Sequence, residues 1–411
     1  MLYVGFDWAD EHHDICVMTE AEQPVATFRI EHSFDGFDQL RTKLATAEPD
    51  SSQILIALET KHGLIVDELL RAGYRVYAIN PKAVNRYKDR HVLTGAKSDQ
   101  LDARAMADLL RTDRHRFHPL VPSPDEYRLL ERLCSDVRKM VDEKTRVVNQ
   151  LTACLKDYYP QAVRLFSKVE NQITLAFLTA FPDPQTLLAT PQADFVAFFK
   201  QHRYCRPDRV PALFDQVHRP ALQADPVVVT AARLRLRGLV EQLSVQMASL
   251  RRHEQEIQTV LDQILAAQPW IDSLPGLGAR LTPEVIVTLG PADAPIPPFD
   301  SPQSLAEFSG CVPVTRSSGK RKSVSIRRVC DRGLRRTFRD WAFASLLLSR
   351  WARAFYEYAA AHGQHQSTIL RNLAFKWIKI LLPLWRSGQP YNEDLHIQNL
   401  KHHHVPWAAV L

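Results

Sequence analysis

Short apolar runs alternate with amphipathic segments over the first 118 residues, and this alternation constrains the fold more than any other feature of the chain. Apolar runs of roughly four to eight residues fit buried strands, and apolar residues spaced three and four apart fit helices. The predicted strands cover residues 2–7, 14–18, 25–30, 54–58 and 75–79, and the predicted helices cover residues 36–45 and 62–72. Strands that alternate with helices predict an α/β domain with a mixed sheet.

The remainder of the chain is predicted to be mainly helical. Residues 130–154 and 236–264 repeat apolar side chains at steps of three and four, which is the spacing of a coiled coil. A helix packed in a bundle shows the same spacing, so a coiled coil and a simple helical hairpin both stay open. Residues 158–229, which are rich in Pro and Phe, are expected to form a small helical insert between the two long helices.

Changes in composition mark the expected domain boundaries. A cluster of prolines after residue 118 indicates a linker, and the composition changes again near Trp270. Two further helices are predicted over residues 341–358 and 370–385. The expected divisions are an α/β domain at residues 1–118, a helical linker region at 119–268, a helical C-terminal domain at 269–400 and a tail at 401–411.

Charge and cysteine content narrow the functional class. The net charge of +6 favours an anionic partner, of which nucleic acid is the first candidate. A basic enzyme that acts on another kind of substrate can carry the same net charge. The six cysteines include no C-x-x-C pair, which argues against a zinc ribbon and favours a reducing compartment. Because no apolar run approaches about 18 residues, no membrane span is predicted. We expect the protein in the cytoplasm, associated with the nucleoid if DNA is its partner.

Four acidic residues occupy positions where a metal site can form. Asp7 ends the first predicted strand, and Glu59 directly follows an internal apolar strand. Asp99 and Asp102 open a predicted helix that Ser98 can cap, and residues three apart share one helical face. Carboxylate oxygens suit Mg²⁺, and two ions about 4 Å apart can activate an attacking oxygen and stabilise a leaving one at phosphorus. These four acids are therefore predicted to bind Mg²⁺ or Mn²⁺ in a ribonuclease-H-like domain.

Each acid taken alone also has a structural explanation. Asp7 fits a turn beside Trp8, Glu59 fits an ion pair, and the helical pair fits a solvated helix start. The metal hypothesis depends on all four acids occurring in this order within about 100 residues, because strand-end acids followed by a helical acid pair suit metal binding.

A second group of residues surrounds Ser318. Residues 316–339 hold ten Lys or Arg against one acid, Asp331. Such cations can hold a phosphate and stabilise developing charge while a hydroxyl attacks phosphorus. On spacing alone, a serine that caps a turn beside cations that grip the DNA backbone is the simpler interpretation. The predicted nucleic-acid contacts are Arg316, Lys320, Arg321, Lys322, Arg327, Arg328, Arg332, Arg335 and Arg336.

The order of these motifs resembles a family of DEDD-type insertion-sequence transposases that includes the bridge-RNA-guided serine recombinases. The similarity covers nearly the whole chain. The motifs that carry it are Asp7, Glu59, K-x-D-x-x-D-A at residues 97–103, L-P-G-L-G at 274–278, S-G-C-V-P-V-T-R-S-S-G-K at 309–320 and L-R-R-T at 334–337.

The resemblance implies a RuvC-like N-terminal domain, similar to a Holliday-junction resolvase, with Asp7, Glu59, Asp99 and Asp102 as its metal-binding tetrad. It implies that Ser318 is the nucleophile and forms a covalent phosphoserine link to DNA. It also implies a homo-oligomer, a dimer or a tetramer, in which the serine of one protomer works beside the acids of another. The implied partners are double-stranded donor and target DNA and a structured non-coding guide RNA that pairs with both.

The chain departs from the family pattern at a few positions. Ser317 directly precedes Ser318, so the nucleophile could be shifted by one residue. Cys330 stands where many members carry glycine, and the histidines at 402–404 match no family motif and are expected in a solvated tail. Two rival interpretations stay open: a junction-resolving nuclease that forms no covalent adduct, and a non-enzymatic nucleic-acid-binding protein in which the acids are structural.

Overall fold

The computed structural model divides into two compact units, Met1–Ser123 and Pro124–Leu411, and each is described by itself. The described residues are 1–91, 98–121, 123–220, 222–266, 268–294, 298–318 and 321–411. No helix within these ranges is long and apolar enough to cross a membrane.

The first unit is built on a five-stranded mixed sheet with strand order β3-β2-β1-β4-β5. β1 to β3 form an antiparallel meander, whereas β4 and β5 run parallel to β1. The predicted mixed sheet is therefore confirmed. The strands are β1 (Leu2–Trp8), β2 (His12–Met18), β3 (Pro24–Glu31), β4 (Ile54–Leu58) and β5 (Arg75–Ala78).

Helices cover both faces of this sheet. Because side chains alternate along β1, Val4 and Phe6 pack in one core with α1 and α2, whereas Tyr3 packs on the opposite face with α4. β4 is apolar and buried along its whole length, and β1 is buried from Leu2 to Phe6, because helices cover both faces of the sheet there. The helices are α1 (Phe34–Ala47), α2 (Leu64–Arg71), α3 (Pro81–His91) and α4 (Asp99–Asp113).

The second unit begins with two long helices that pack along each other, α5 (Asp125–Tyr158) and α11 (Pro226–Ala266). They are antiparallel, because Tyr127 near the start of α5 bonds Gln268 just beyond α11, whereas Cys154 contacts Ala232. The two predicted long helices are confirmed, and both are longer than predicted. One end of this pair is covered by α6 (Pro160–Leu165), α7 (Gln172–Ala180), α8 (Pro184–Leu188), α9 (Gln192–Gln201) and α10 (Val210–Val217).

The other end of the helix pair packs into a larger core with the C-terminal helices. Four tryptophans are completely enclosed in this core, and Trp377 donates a 2.9 Å hydrogen bond to the Ser345 hydroxyl. The elements are α12 (Thr282–Leu289), α13 (Pro302–Phe308), β6 (Val314–Ser318), β7 (Arg321–Ser325), α14 (Arg332–Ser345), α15 (Arg350–Ala361), α16 (Gln366–Ser387) and α17 (Glu393–His402).

Two sequence predictions for this region are wrong in detail. The helix expected over residues 341–358 is two helices, because the chain turns after Ser345 and Ser349 starts α15 by accepting a hydrogen bond from the Ala352 amide. Ser318, interpreted from spacing alone as capping a turn, ends the first strand of the antiparallel hairpin β6–β7. Val314 pairs with Ser325 at the base of this hairpin, and the pairing continues to Ser318 and Arg321.

Candidate metal centre and serine hairpin

Strand register brings three acids together on one face of the sheet. Asp7 lies directly opposite Asp14 in the antiparallel β1–β2 pair. Gly5 pairs with Ala57 in the parallel β1–β4 pair, so Glu59, directly after β4, follows on the same side as Asp7. Carboxylates carried by three adjacent strands therefore lie near the C-terminal ends of β1 and β4, on one face of the sheet.

Helix α4 brings two more acids to this end of the sheet. The Ser98 side chain accepts a hydrogen bond from the Leu101 amide, which fixes Asp99 and Asp102 in the first turn. The helix lies unusually close to β1, since a Cβ atom built on Gly5 would be only 1.7 Å from the Ala103 carbonyl oxygen. Glycine at this position is what lets the helical acids approach Asp7.

The pKa of Asp7 shows how closely these acids interact. Burial raises the pKa of the Asp7 carboxyl, and the negative charges of Asp102, Asp99, Glu59 and Asp14 raise it further, to about 7. The structure thus brings the four predicted acids into one electrostatic cluster, which we call the acid cluster and which also contains Asp14. A cation placed there would favour the ionised form of Asp7.

Among the residues that the structure describes, Arg29 and Lys88 contact the acid cluster. Arg29 forms a forked ion pair with the buried Asp14, with Nη2 to Oδ2 at 2.7 Å and Nε to Oδ1 at 3.2 Å. Lys88 of α3 donates to Oδ1 of Asp102, and both of these side chains are mostly buried. The cluster is therefore partly neutralised from within the chain.

The closest group of candidate metal ligands differs from the predicted tetrad. One ligand atom each from His12, Asp14 and Asp99 lie within 4.8 Å of one another. Over the described part of the chain, no three of the four predicted acids come that close. The donor set nevertheless fits a hard divalent ion, because most of its ligand atoms are carboxylate oxygens, whose negative charges repel one another.

His12, Asp14 and Lys88 were not foreseen from the sequence. The position of Asp14 could have been inferred from the predicted meander, because a short turn between β1 and β2 places Asp14 opposite Asp7. That inference requires the strand register, which a single sequence does not fix. Lys88 is 14 residues before Asp102 and meets it only through the packing of α3 on α4.

The serines lie at the end of the first strand of the hairpin. In the backbone register Ser317 pairs with Lys322 and Ser318 pairs with Arg321. Ser317 is exposed. Gly319 and Lys320 lie outside the described residues, and so do the side chains of Arg316, Ser318, Arg321 and Lys322.

The remaining predicted nucleic-acid contacts occupy different environments. Arg327 forms an ion pair with Glu307 at 3.5 Å, and Arg335 donates to the Arg327 carbonyl and contacts Cys330, so both stabilise the chain that follows the hairpin. Arg328 is exposed on the same segment. On the segment between the hairpin and α14, Arg327 and Arg335 are therefore partly buried, whereas Arg328 faces solvent.

Arg332 and Arg336 are exposed on α14 and line a cavity of about 650 Å³ between α5, α11, α12 and α14. Within the cavity wall Arg138 forms a forked ion pair with Glu284, with Nε to Oε1 at 2.8 Å. Burial raises the pKa of Glu284, and Arg138 opposes that shift. The cavity is therefore lined by an Arg–Glu ion pair that is satisfied within the chain and by two exposed guanidinium groups.

The C-terminal histidines do not gather into a site. Residues 402–404 are exposed at the end of α17, and they belong to no metal-ligand group in the ranges that the structure describes.

Comparisons with known proteins agree with this arrangement. Residues 4–160 match a family model of IS110 DEDD elements described as "Transposase", and residues 269–357 match one described as "Transposase IS116/IS110/IS902 family". The chain is 28% identical to the Streptomyces coelicolor protein named "Mini-circle putative transposase for IS117", over 96% of each chain. It is 24% identical, again over 96% of each chain, to "Insertion element IS110 uncharacterized 43.6 kDa protein" of the same organism.

An acid cluster on a mixed α/β sheet, followed by a helical unit with a serine hairpin, is the arrangement of a DNA-cleaving and rejoining enzyme of the transposase class. The two matched regions contain the acid cluster and the serine hairpin respectively. The chain belongs to the IS110 family of insertion-sequence transposases.

Proposed function

We propose that this transposase recombines DNA by coupling a divalent-metal site at the acid cluster to nucleophilic attack by Ser318. The observation that carries the proposal is the convergence of five carboxylates: strand register places Asp7, Asp14 and Glu59 on one side of the sheet, and the close packing of α4 on Gly5 adds two more from its first turn. Burial and the four neighbouring carboxylates raise the pKa of Asp7 to about 7. Negative charges gathered around a partly buried carboxylate destabilise the fold unless a cation or a proton offsets them, and perturbed carboxylates of this kind cluster at functional sites.

Asp7, Glu59, Asp99 and Asp102 are the proposed ligands of Mg²⁺ or Mn²⁺, and Asp14 and His12 extend the donor set. When bound, the ion supplies Lewis-acid stabilisation of the phosphate oxygens. The chain's own contribution is to position the carboxylates: two on adjacent strands of one sheet, one directly after β4 and two in the first turn of α4.

Ser318 is the proposed nucleophile. Its Oγ forms a bond to phosphorus, one bridging P–O bond of the DNA backbone breaks, and the departing oxygen takes up a proton as a free hydroxyl. The number of phosphate ester bonds is unchanged, so the step is close to reversible and the strand can be rejoined to a different end. Water attack at the same phosphorus would instead hydrolyse the ester and release both ends.

The basic segment is proposed to bind nucleic acid, with Arg316, Lys320, Arg321 and Lys322 at the reacting phosphate. Arg328, Arg332 and Arg336 are exposed and suited to contacting the backbone of donor DNA, target DNA or a structured guide RNA. We further propose that pairing with this RNA selects the target and that the working unit is a homo-oligomer, a dimer or a tetramer.

The test is a search for a covalent protein–DNA adduct. The full chain is incubated with Mg²⁺, RNA transcribed from the element's own ends and end-labelled DNA, then denatured and analysed by gel mobility. We expect an adduct that disappears in Ser318→Ala and in Asp7→Asn. Ser317→Ala is the matched control, because it removes the neighbouring hydroxyl of the same strand.

Each alternative predicts a different result. Cleavage without an adduct would support a junction-resolving nuclease, and binding without cleavage would support a non-enzymatic nucleic-acid-binding protein. Loss of the adduct in Ser317→Ala but not in Ser318→Ala would move the nucleophile by one residue. Omitting the RNA tests guidance separately, since cleavage that continues at the same site without RNA contradicts it.

A further inference from the structure

Lys88 is a mostly buried lysine that contacts the acid cluster. It lies in the last turn of α3, and its ammonium group donates to Oδ1 of Asp102. The side chains of Lys88 and Asp102 are only 19% and 17% exposed, so this is not a freely solvated surface pair. On the same helix, Tyr87 donates to Asp108 of α4. The two contacts fix α3 against α4 and hold the ammonium group at the acid cluster.

The acid cluster provides the driving force for this contact. Four carboxylates act electrostatically on that of Asp7, and Lys88 contributes a positive charge at one of these four, Asp102. A partly buried carboxylate without a cation is costly, because its attraction to a partner must offset the loss of water. In the absence of metal, Lys88 therefore stabilises the arrangement that metal binding requires.

The two basic residues at the cluster differ in how readily they can be displaced. Arg29 engages both oxygens of the buried Asp14 through a rigid guanidinium fork. Lys88 presents a single ammonium group on a flexible stem to one oxygen of Asp102. An ammonium group is a compact point charge, whereas a forked guanidinium pair has two parallel bonds to break. Lys88 is the exchangeable cation of the pair.

We propose that Lys88 is a resident cation of the acid cluster and that a divalent ion must displace it from Asp102 in order to bind. This inference rests on the proposed metal site. It makes Lys88 a positioning residue: it keeps the carboxylates together before metal arrives, and it competes with the metal for one of them. Metal affinity is then set partly by a residue that is not itself a ligand.

The test compares the affinity for Mn²⁺ across variants of Lys88 in the full chain, by titration calorimetry and by the metal-dependent rise in Tm. Lys88→Met removes the competing charge and should bind Mn²⁺ about tenfold more tightly, the equivalent of about 1.4 kcal/mol. Its Tm without metal should fall. Lys88→Arg keeps the charge and adds a second hydrogen bond, so it should bind Mn²⁺ several-fold more weakly than the parent chain.

Lys82→Met is the matched control, since Lys82 lies on the same helix and is exposed. It should leave both the affinity and the Tm unchanged. The proposal would be overturned if Lys88→Met bound Mn²⁺ no more tightly than the parent chain does and Lys88→Arg had the same affinity as Lys88→Met. If Lys88→Met proves too unstable to titrate, the Lys88→Arg result alone decides, because unchanged or tighter binding contradicts competition. Failure of the parent chain to bind Mn²⁺ at all would instead refute the metal site.

Discussion

The substitution Gly5→Ala tests whether the close packing of α4 on β1 positions the acid cluster. An alanine Cβ would lie 1.7 Å from the Ala103 carbonyl oxygen, 2.7 Å from the Ala107 amide nitrogen and 2.8 Å from the Ala103 carbonyl carbon. All three atoms are backbone atoms of α4, so no side chain can rotate to make room. The whole helix must therefore move, and Asp99 and Asp102 move with it.

The size of the effect follows from this geometry. Ordinary van der Waals contact requires about 3.4 Å or more, so the helix must shift by roughly 1.5 to 2 Å in a close-packed interior. Overpacking of this kind costs about 1 to 3 kcal/mol of the free energy of unfolding. A displacement of about 1 Å at a reacting centre can cost on the order of a hundredfold in rate. We expect a folded protein whose DNA cleavage falls by at least that factor.

The assay combines urea unfolding, Mn²⁺ titration and the rate of adduct formation. Gly238→Ala is the control, because this helical glycine of α11 has open space around its Cβ position. It should stabilise the protein by about 0.5 to 1 kcal/mol, as expected for glycine replaced by alanine within a helix, and leave cleavage unchanged. Full metal affinity and cleavage in a folded Gly5→Ala variant would refute the claim that helix proximity assembles the site.

Three further predictions follow from charge. Because the pKa of Asp7 is raised from 3.8 to about 7, the folded state holds a proton that the unfolded state has lost, and metal-free stability falls as pH rises through that range. Asp7→Asn should therefore raise the free energy of unfolding at pH 8, by at most about 4 kcal/mol, and give no gain near pH 3; a urea midpoint that does not change with pH would contradict this. Arg138→Ala leaves Glu284 partly buried without its cation and should cost about 1 to 2 kcal/mol at pH 8, and less as the pH falls through the raised pKa of Glu284 and the carboxyl takes up a proton; an equal loss at alkaline and acidic pH in urea unfolding would argue against it. Arg336→Ala should reduce the salt dependence of DNA binding by about one counterion, whereas Arg339→Ala should have less effect because Arg339 is paired with Asp340; fluorescence anisotropy at several salt concentrations measures both slopes.

The sequence predicted those features of the fold that depend on local periodicity. The strand at residues 54–58 has the predicted bounds, and both long helices contain the predicted ranges. The break after Ser345 was missed because it has no glycine or proline, and the apolar spacing continues through it. The end of α14 is a tertiary contact: a Cβ built on Gly276, which is distant in sequence, would lie only 2.7 Å from the Ser345 amide nitrogen.

The membership of the acid cluster was predicted in part. Acids at strand ends and in the first turn of a helix can be identified from the sequence because their positions follow from where each element begins or ends. Asp14 lies inside a strand, and its inclusion depends on the pairing of β2 with β1. Register is set by the whole meander and by which face is buried, so one residue of slip would turn Asp14 away from Asp7.

One further signal for the site was present in the sequence, in the small residues that surround it. Gly5 lies two residues before Asp7 and therefore faces the same side of the sheet, while Ala103 and Ala107 lie four apart on one face of α4. Three small residues placed in this way let a helix and a strand approach until their backbones touch. The motif D-x-x-D-A thus combines two functions: its acids supply charge, and its alanine permits the packing that brings those acids to Asp7. A larger residue at Ala103 should harm the site as Gly5→Ala does, although it alters neither an acid nor the strand.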